Sequence, residues 1–386
     1  MREYLLCIVA AAAVTYLLTP MVRKLAIKAG AMAEVRDRDV HDEPIPRWGG
    51  LAMFAGVLVG FLLASQLPLM SSVFEQSRQP LALIVGSAII VLLGLADDRW
   101  GFTAPTKFAG QCLAAAAMAL LGVQMIWLPI GGTLVLDPLT SILLTVLIVV
   151  LCVNAVNFID GLDGLAAGMV GIAAVALFAY SYLLAVVNDI DRATLATLIC
   201  ALLAGVCIGF LPHNINPAKI FMGDTGSMLI GFLLAASMIT LVGRVEPGSL
   251  QGSVKLPLLL PLILPAAVIA VPLLDVLLAI VRRARAGRSP FAPDKQHLHH
   301  RLLELGHSQR RAVALMWGWS ATVAFSAVSL AFAPWWVTVI LFVTGLTVVL
   351  VALLRGRGDG VSKRTADPNN GPTELSTVPQ DNELRK

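Results

Sequence analysis

The chain has 386 residues, of which 58% are apolar and 13% charged, with a mean hydropathy of +0.82. So high an apolar share excludes a soluble protein folded around an ordinary core and predicts an integral membrane protein. The net charge of +4 calls for no nucleic-acid partner, because basic loops at an anionic membrane surface account for it.

A bilayer span needs roughly 20 mostly apolar residues. Eleven runs qualify, near 4–22, 48–68, 81–96, 108–128, 139–157, 165–187, 193–211, 227–243, 256–281, 313–333 and 336–354. Each is expected as a helix, since lipid offers no water to satisfy open strand edges. The first is not read as a cleavable signal: it lacks a basic leader and runs into Thr19-Pro20 and a Lys/Arg cluster. Only Arg2, Arg78, Arg192, Arg244 and Lys255 fall in segments after even-numbered runs or before the first, leaving 23 of the 28 basic residues on the other side. The amino terminus is therefore expected outside and the carboxyl terminus in the cytoplasm. The fold class expected is an all-α polytopic membrane bundle of about eleven transmembrane helices. Residues 1–355 would form a membrane domain with its active site on the cytoplasmic face, and 356–386, rich in Asp, Asn, Pro and Thr, a disordered cytoplasmic tail. The five cysteines sit in the apolar runs without a C-x-x-C pair and read as small buried hydrophobes.

Polar motifs collect at the predicted cytoplasmic ends of these runs. In "RDVHDEPIPRWGG", Pro44 and Pro46 force an extended path, Gly49 and Gly50 allow close backbone approach, and His41 and Arg47 supply polar tips. "GLADDRWGFTAPTKFAGQ" ends the third run with Asp97 and Asp98, which would point roughly 100° apart on a helix, so that at most one faces a given ligand. In "NAVNFIDGLDGLAAG", Asn154 with Asn157, or Asp160 with Asp163, can share a helix face. Over nine residues the spacing drifts by about half a turn, so all four converge only if the helix unwinds, as Gly161 and Gly164 permit. A polar collar where a helix meets water explains the same spacing.

"NINPAKIFMGDTGSMLIG" places Asp224 at the start of the eighth run, as a plain helix cap or beside a helix start suited to phosphate. After the ninth run, "PDKQHLHHRLLELG" reads as a short amphipathic helix with His297, His299 and His300. Zinc is disfavoured there, since no H-E-x-x-H or Cys partner accompanies them; contact with a phosphate oxygen or proton transfer fits better. Three carboxylate clusters on one membrane face suit a hard cation such as Mg²⁺, which keeps waters and bridges one or two carboxylates to substrate phosphate.

Together "HDEPIPRWGG", "LADDRWG", "NAVNFIDGLDGLAAG", "NINPAKIFMGDTGSM" and "PDKQHLHH" resemble the polyprenyl-phosphate N-acetylhexosamine-1-phosphate transferases, most closely the WecA/TagO-like branch. The peptidoglycan branch typically carries three consecutive His in the last loop, whereas this chain has His297-Leu298-His299-His300. The resemblance implies transfer of GlcNAc-1-phosphate from UDP-GlcNAc to a polyprenyl phosphate, with release of UMP, at the plasma (inner) membrane. It implies Asp97 and Asp98 as acceptor-side catalytic acids, Asp224 with Asp98 as ligands of Mg²⁺ (Mn²⁺ substituting), and Asn157, Asp160 and Asp163 around the nucleotide and diphosphate. Phe221 and Asn214 would lie by the uracil, His297, His299 and His300 by the diphosphate or sugar, and His41, Arg47 and Asn154 among the substrate-binding groups. A homodimer is compatible with it. The alternatives are another UDP-N-acetylhexosamine as donor, or an ion-coupled secondary transporter; the latter is disfavoured because the acids gather at one surface and no internal repeat is seen.

Overall fold

A computed structural model describes residues 1–33, 44–128, 134–187, 193–242 and 308–355, with two short pieces at 263–264 and 266–267. Its helices are α1 (Arg2–Ala29), α2 (Gly49–Ser65), α3 (Ser71–Gln76), α4 (Gln79–Trp100), α5 (Ala104–Leu120), α6 (Pro138–Ile159), α7 (Leu165–Val187), α8 (Ala193–Asn214), α9 (Gly223–Val242), α10 (Gln309–Phe332) and α11 (Trp335–Arg355). Among the described residues, 8 helices are long and apolar enough to cross a membrane, and α2 is a shorter apolar helix. The protein is thus a polytopic helical membrane protein. Helices occupy every expected run except 256–281, which lies almost wholly outside the described residues, as do the histidine segment 294–305 and the tail 356–386.

Two elements depart from the sequence expectation. α1 does not stop where the first apolar run ends, near residue 22, but carries Arg23, Lys24 and Lys28 to its end at Ala29. Termination comes at Gly30, whose left-handed φ of 70° lets its N–H and that of Ala31 return to the carbonyls of Ile27 and Ala26, a glycine C-cap. In the fourth run, α5 ends at Leu120 and the chain turns through Gly122 (φ 101°) into a two-stranded antiparallel hairpin, β1 (Trp127–Leu128) and β2 (Leu134–Val135). Polar groups of α6 hold the approach to this hairpin. The Ser141 hydroxyl donates to the Met125 carbonyl at 2.6 Å, and the Met125 N–H donates to Thr145 Oγ1 at 3.0 Å, so buried backbone that leaves the helix is still satisfied.

The arrangement centres on α9. Every residue of α9 from Thr225 to Val242 is buried, against α2, α4, α6, α7 and α8; a helix apolar on all sides has no face to offer solvent. Small residues allow the approach. A Cβ on Gly94 of α4 would overlap the backbone of Thr225, and one on Gly50 of α2 would overlap that of Gly226, the small-residue packing that lets membrane helices come together. α10 packs on α7, where Trp317 lies over Gly168, and α11 packs on α10 with an exposed, apolar outer surface. The amino-terminal end of α9 thereby becomes the point where the motif-bearing ends of α2, α4 and α6 meet.

Candidate active site

The site is built around the first turn of α9. A helix start leaves backbone N–H groups without intrahelical partners, and at a fully buried helix these cannot turn to water. Asp98, at the end of α4 and itself buried, satisfies them. Its Oδ1 accepts from the Asp224 N–H at 2.9 Å, while its Oδ2 accepts from the Thr225 N–H at 3.1 Å and the Thr225 hydroxyl at 2.7 Å. The carboxylate also faces the positive end of the helix dipole. Gly223 (φ 69°) is the residue that makes room, since a Cβ there would overlap the Asp98 carboxylate.

Asp97, one residue earlier, points elsewhere, as adjacent positions on a helix must. Its Oδ1 accepts from the Phe102 N–H at 2.6 Å, and its Oδ2 lies 2.5 Å from the Lys107 ammonium. Lys107 also pairs with Asp224 Oδ2. The other oxygen of Asp224 accepts from the Asn157 amide at 3.0 Å, and the same amide nitrogen donates to Ser227 Oγ at 2.9 Å. Four elements therefore contribute to one cluster: α4 gives Asp97 and Asp98, α5 gives Lys107, α6 gives Asn157, and α9 gives Asp224 and Ser227. Asn154, a turn deeper on α6, donates to Gln111 Oε1 at 2.7 Å and to the Val150 carbonyl at 2.8 Å, which ties α6 to α5.

A second set of bonds fixes the segment 214–222 that leads into α9. Asp163 Oδ2 accepts from the Asn216 amide and from the Ala218 N–H, both at 3.0 Å. Asn216 also donates to Gln309 Oε1 at 2.7 Å, and its carbonyl accepts from Arg310 Nε at 2.7 Å. Asn214, fully buried, receives the Gly164 N–H at 3.0 Å and donates to the Ile220 carbonyl at 3.0 Å. Further along, Phe221 N–H donates to Pro46 O at 2.9 Å, and the carbonyls of Phe221 and Met222 accept from Gly49 and Gly50, each at 3.0 Å. The extended path forced by Pro44 and Pro46 is thus paired with the entry to α9 like a short strand.

Asp160 lies between the two sets. α6 ends at Ile159 and the chain turns through 160–164 with Gly164 at φ 76°, so the unwinding that would let these side chains converge is present. Burial, reinforced by the charges of Asp224, Asp98 and Asp163 and opposed by Arg47, pushes the Asp160 carboxyl up to about 8. That these groups act on Asp160 places them in one electrostatic neighbourhood.

The structure therefore brings Asp97, Asp98, Asn157, Asp160, Asp224 and Arg47 together, and sets Asp163, Asn214 and Phe221 in or beside the adjoining segment. His41, His297, His299 and His300 lie outside the described residues. Lys107, Thr225, Ser227 and Gln309 were not singled out from sequence. For Lys107 a signal existed: a basic residue in the first turn of a helix opposes the dipole and implies an anion nearby. Ser227 and Gln309 carried none.

Among the described residues, no set of three or more His, Cys, Asp or Glu side chains closes on a metal-sized point. Asp98, expected beside Asp224 as a metal ligand, has both oxygens bonded to the start of α9, which leaves Asp97 Oδ2 and Asp224 Oδ2, both turned toward one cation, the Lys107 ammonium. A pair of carboxylate oxygens converging on a cation matches Mg²⁺, which takes one or two carboxylates and fills its remaining positions with water and phosphate.

Residues 80–242, from the second residue of α4 to the end of α9, match the model of glycosyl transferase family 4. The chain is 48% identical over 374 residues to the decaprenyl-phosphate N-acetylglucosaminephosphotransferase of Mycolicibacterium smegmatis, covering 94% of this chain and 92% of that one. It is 48% identical over 336 residues to the protein of the same name from Mycobacterium tuberculosis, covering 85% and 83%. A more distant relative is the undecaprenyl-phosphate alpha-N-acetylglucosaminyl 1-phosphate transferase of Yersinia pestis, 30% identical over 335 residues, covering 83% and 84%. With identity sustained over nearly the whole length and the motif ends of four helices closing on one buried helix start, the chain belongs to the polyprenyl-phosphate N-acetylhexosamine-1-phosphate transferases.

Proposed function

We propose that the protein transfers GlcNAc-1-phosphate from UDP-GlcNAc to a membrane polyprenyl phosphate, giving polyprenyl-diphospho-GlcNAc and UMP, as the first step of a lipid-linked cell-wall or surface polysaccharide. The observation that carries the reading is the convergence of Asp97, Asp224 and Asn157 on the amino-terminal end of α9, within a chain 48% identical to a named transferase. In this reading the chain has eleven spans, the amino terminus outside, and the site on the cytoplasmic face of the plasma membrane, where nucleotide sugars are found; residues 356–386 form a tail.

Phosphoryl transfer asks little covalent chemistry of a protein and much positioning and charge neutralisation. Asp224 and Asp97 would hold Mg²⁺, or Mn²⁺ in its place, which when bound supplies Lewis-acid neutralisation of the donor diphosphate. Asn157 fixes the Asp224 carboxylate, and Asp98 fixes the helix start that carries it. The acceptor is a phosphate monoester with a second pKa near 6, largely dianionic at neutral pH, so a strong general base is not needed and direct in-line attack on the β-phosphorus suffices. Phe221, held at its backbone by Pro46 and Gly49, would offer its ring to the uracil, with Asp160 and Arg47 near the sugar and diphosphate.

The test is purified full-length protein with labelled UDP-GlcNAc, a short-chain polyprenyl phosphate and Mg²⁺. The expected products are a labelled diphospholipid and stoichiometric UMP. UMP release without lipid acceptor would replace direct transfer by a two-step route, and turnover of other UDP-N-acetylhexosamines at equal rate would overturn the choice of sugar.

A further inference from the structure

Lys107 stands where a divalent cation would stand. Its ammonium is bracketed by Asp97 Oδ2, at 2.5 Å, and Asp224 Oδ2, and among the described residues no other lysine or arginine pairs with either carboxylate. We propose that Lys107 is a tethered counter-cation: it occupies the position between Asp97 and Asp224 in the resting protein, and a divalent metal ion must displace it to bind. The inference rests on the reading of Asp224 and Asp97 as holders of the metal.

Three features make displacement, rather than a permanent structural ion pair, the better account. First, neither carboxylate depends on Lys107 for its position. Asp97 is held through its other oxygen by the Phe102 N–H at 2.6 Å, and Asp224 through its other oxygen by Asn157 at 3.0 Å, so the two free oxygens keep facing one point when the ammonium leaves. Second, those oxygens cannot stay bare. With Asp98 buried next to them, an empty site would hold three carboxylates without a cation, an arrangement that raises the energy of the ionised forms; one ammonium relieves this only in part, and a doubly charged ion relieves more. Third, the lysine can move. Its side chain is 31% exposed, it swings on a flexible four-carbon stem, and it sits in the first turn of α5, where the helix dipole disfavours a cation.

The consequence is a site that stays collapsed and neutralised without metal, and that frees a cation beside the incoming anionic substrate once metal arrives. The affinity observed for the metal then contains the cost of expelling Lys107.

Mn²⁺ binding followed by electron paramagnetic resonance on the full-length protein in detergent, without substrate, tests this. Lys107→Met is expected to bind Mn²⁺ at least about tenfold more tightly than the parent protein, the factor anticipated when a charge-assisted hydrogen bond no longer has to be broken. Lys107→Arg, which keeps the charge, is expected to bind as the parent does. Independently of any variant, acylation of the Lys107 amine in the parent protein, read by mass spectrometry, is expected to rise severalfold on adding Mg²⁺, with a midpoint matching the metal dissociation constant. Unchanged or weaker Mn²⁺ binding in a folded Lys107→Met, or Lys107 labelling indifferent to Mg²⁺ at saturation, overturns the proposal. The underlying metal reading fails separately: Asp224→Asn would then bind Mn²⁺ as well as the parent protein.

Discussion

Replacing Asp98 by Asn distinguishes an anchoring role from a chemical one. The carboxylate accepts three bonds, from the N–H groups of Asp224 and Thr225 and from the Thr225 hydroxyl, at 2.9, 3.1 and 2.7 Å. Hydrogen bonds to a charged acceptor contribute about 1.5–3 kcal/mol each, and opposition to the positive end of a buried helix adds up to about 2 kcal/mol. An Asn of the same shape keeps one acceptor oxygen but turns an NH₂ toward groups that are themselves donors, so roughly half or more of that total is lost, about 3–4 kcal/mol. The affected unit is α9, which packs against five other helices and is bonded to a sixth, α5, through Lys107, so the loss should register in global thermal stability as well as in the site. Thermal unfolding of the purified protein in detergent should show Asp98→Asn several degrees below the parent. Thr225→Val, which removes only the hydroxyl donor, should fall between them at a cost of about 1.5–3 kcal/mol. If Asp98→Asn unfolds at the parent temperature while turnover vanishes, the anchoring assignment is wrong and Asp98 acts on the reactants.

Asp224→Asn should lower turnover by at least about a hundredfold at any Mg²⁺ concentration, measured as diphospholipid formation, because a lost metal ligand removes several kcal/mol of charge stabilisation; activity restored by raising Mg²⁺ alone would instead indicate weakened affinity. Gln309→Ala should free the Asn216 amide from α10 and raise KM for UDP-GlcNAc about fivefold with a smaller change in kcat, the equivalent of one neutral hydrogen bond of about 1 kcal/mol; Gln309→Glu, which keeps an acceptor, should recover most of it. Burial, with neighbouring acids, pushes the Asp160 carboxyl from its ordinary 3.8 up to about 8. A carboxyl whose pKa rises on folding contributes its stability at low pH and loses it as pH climbs from about 4 to about 8. Asp160→Asn, permanently neutral, should therefore match the parent in thermal stability near pH 4 and exceed it by a margin that grows up to about pH 8; a constant offset across that range would refute the assignment.

Most of the helices were legible because lipid imposes one rule on every span, and apolar runs of sufficient length obey it. Their ends were less so. α1 continued past the end of its apolar run near residue 22, and the stop came from Gly30, whose left-handed backbone closes the helix. The turn after α5 depended on hydroxyls of Ser141 and Thr145 meeting the Met125 backbone, a tertiary contact that no local pattern records. For the site, residue types and motif order located the acids correctly at one end of the bundle, and the 100° offset of Asp97 from Asp98 foretold that they would face different partners. What could not be read was the division of labour. Spacing cannot say that Asp98 turns to the α9 backbone while Asp97 turns to Lys107, because that depends on where the start of a helix more than a hundred residues later is placed.

That division follows from burying α9 completely. A buried helix start has N–H groups that must find acceptors, and the strongest available acceptor is a carboxylate, so one acid of the Asp97-Asp98 pair is consumed by the fold. The next acid, Asp224, is carried by the same helix start one residue past Gly223, and so is positioned by the bond that anchors the helix. Structural satisfaction and chemical positioning are then a single contact: the Asp224 N–H held by Asp98 at 2.9 Å sets where the Asp224 side chain can reach. Exchanging the roles, with Asp98 free and Asp97 as the cap, would require α4 to rotate by about 100°, and the contact of Gly94 with Thr225 forbids it, since any other face of α4 would bring a side chain against the α9 backbone.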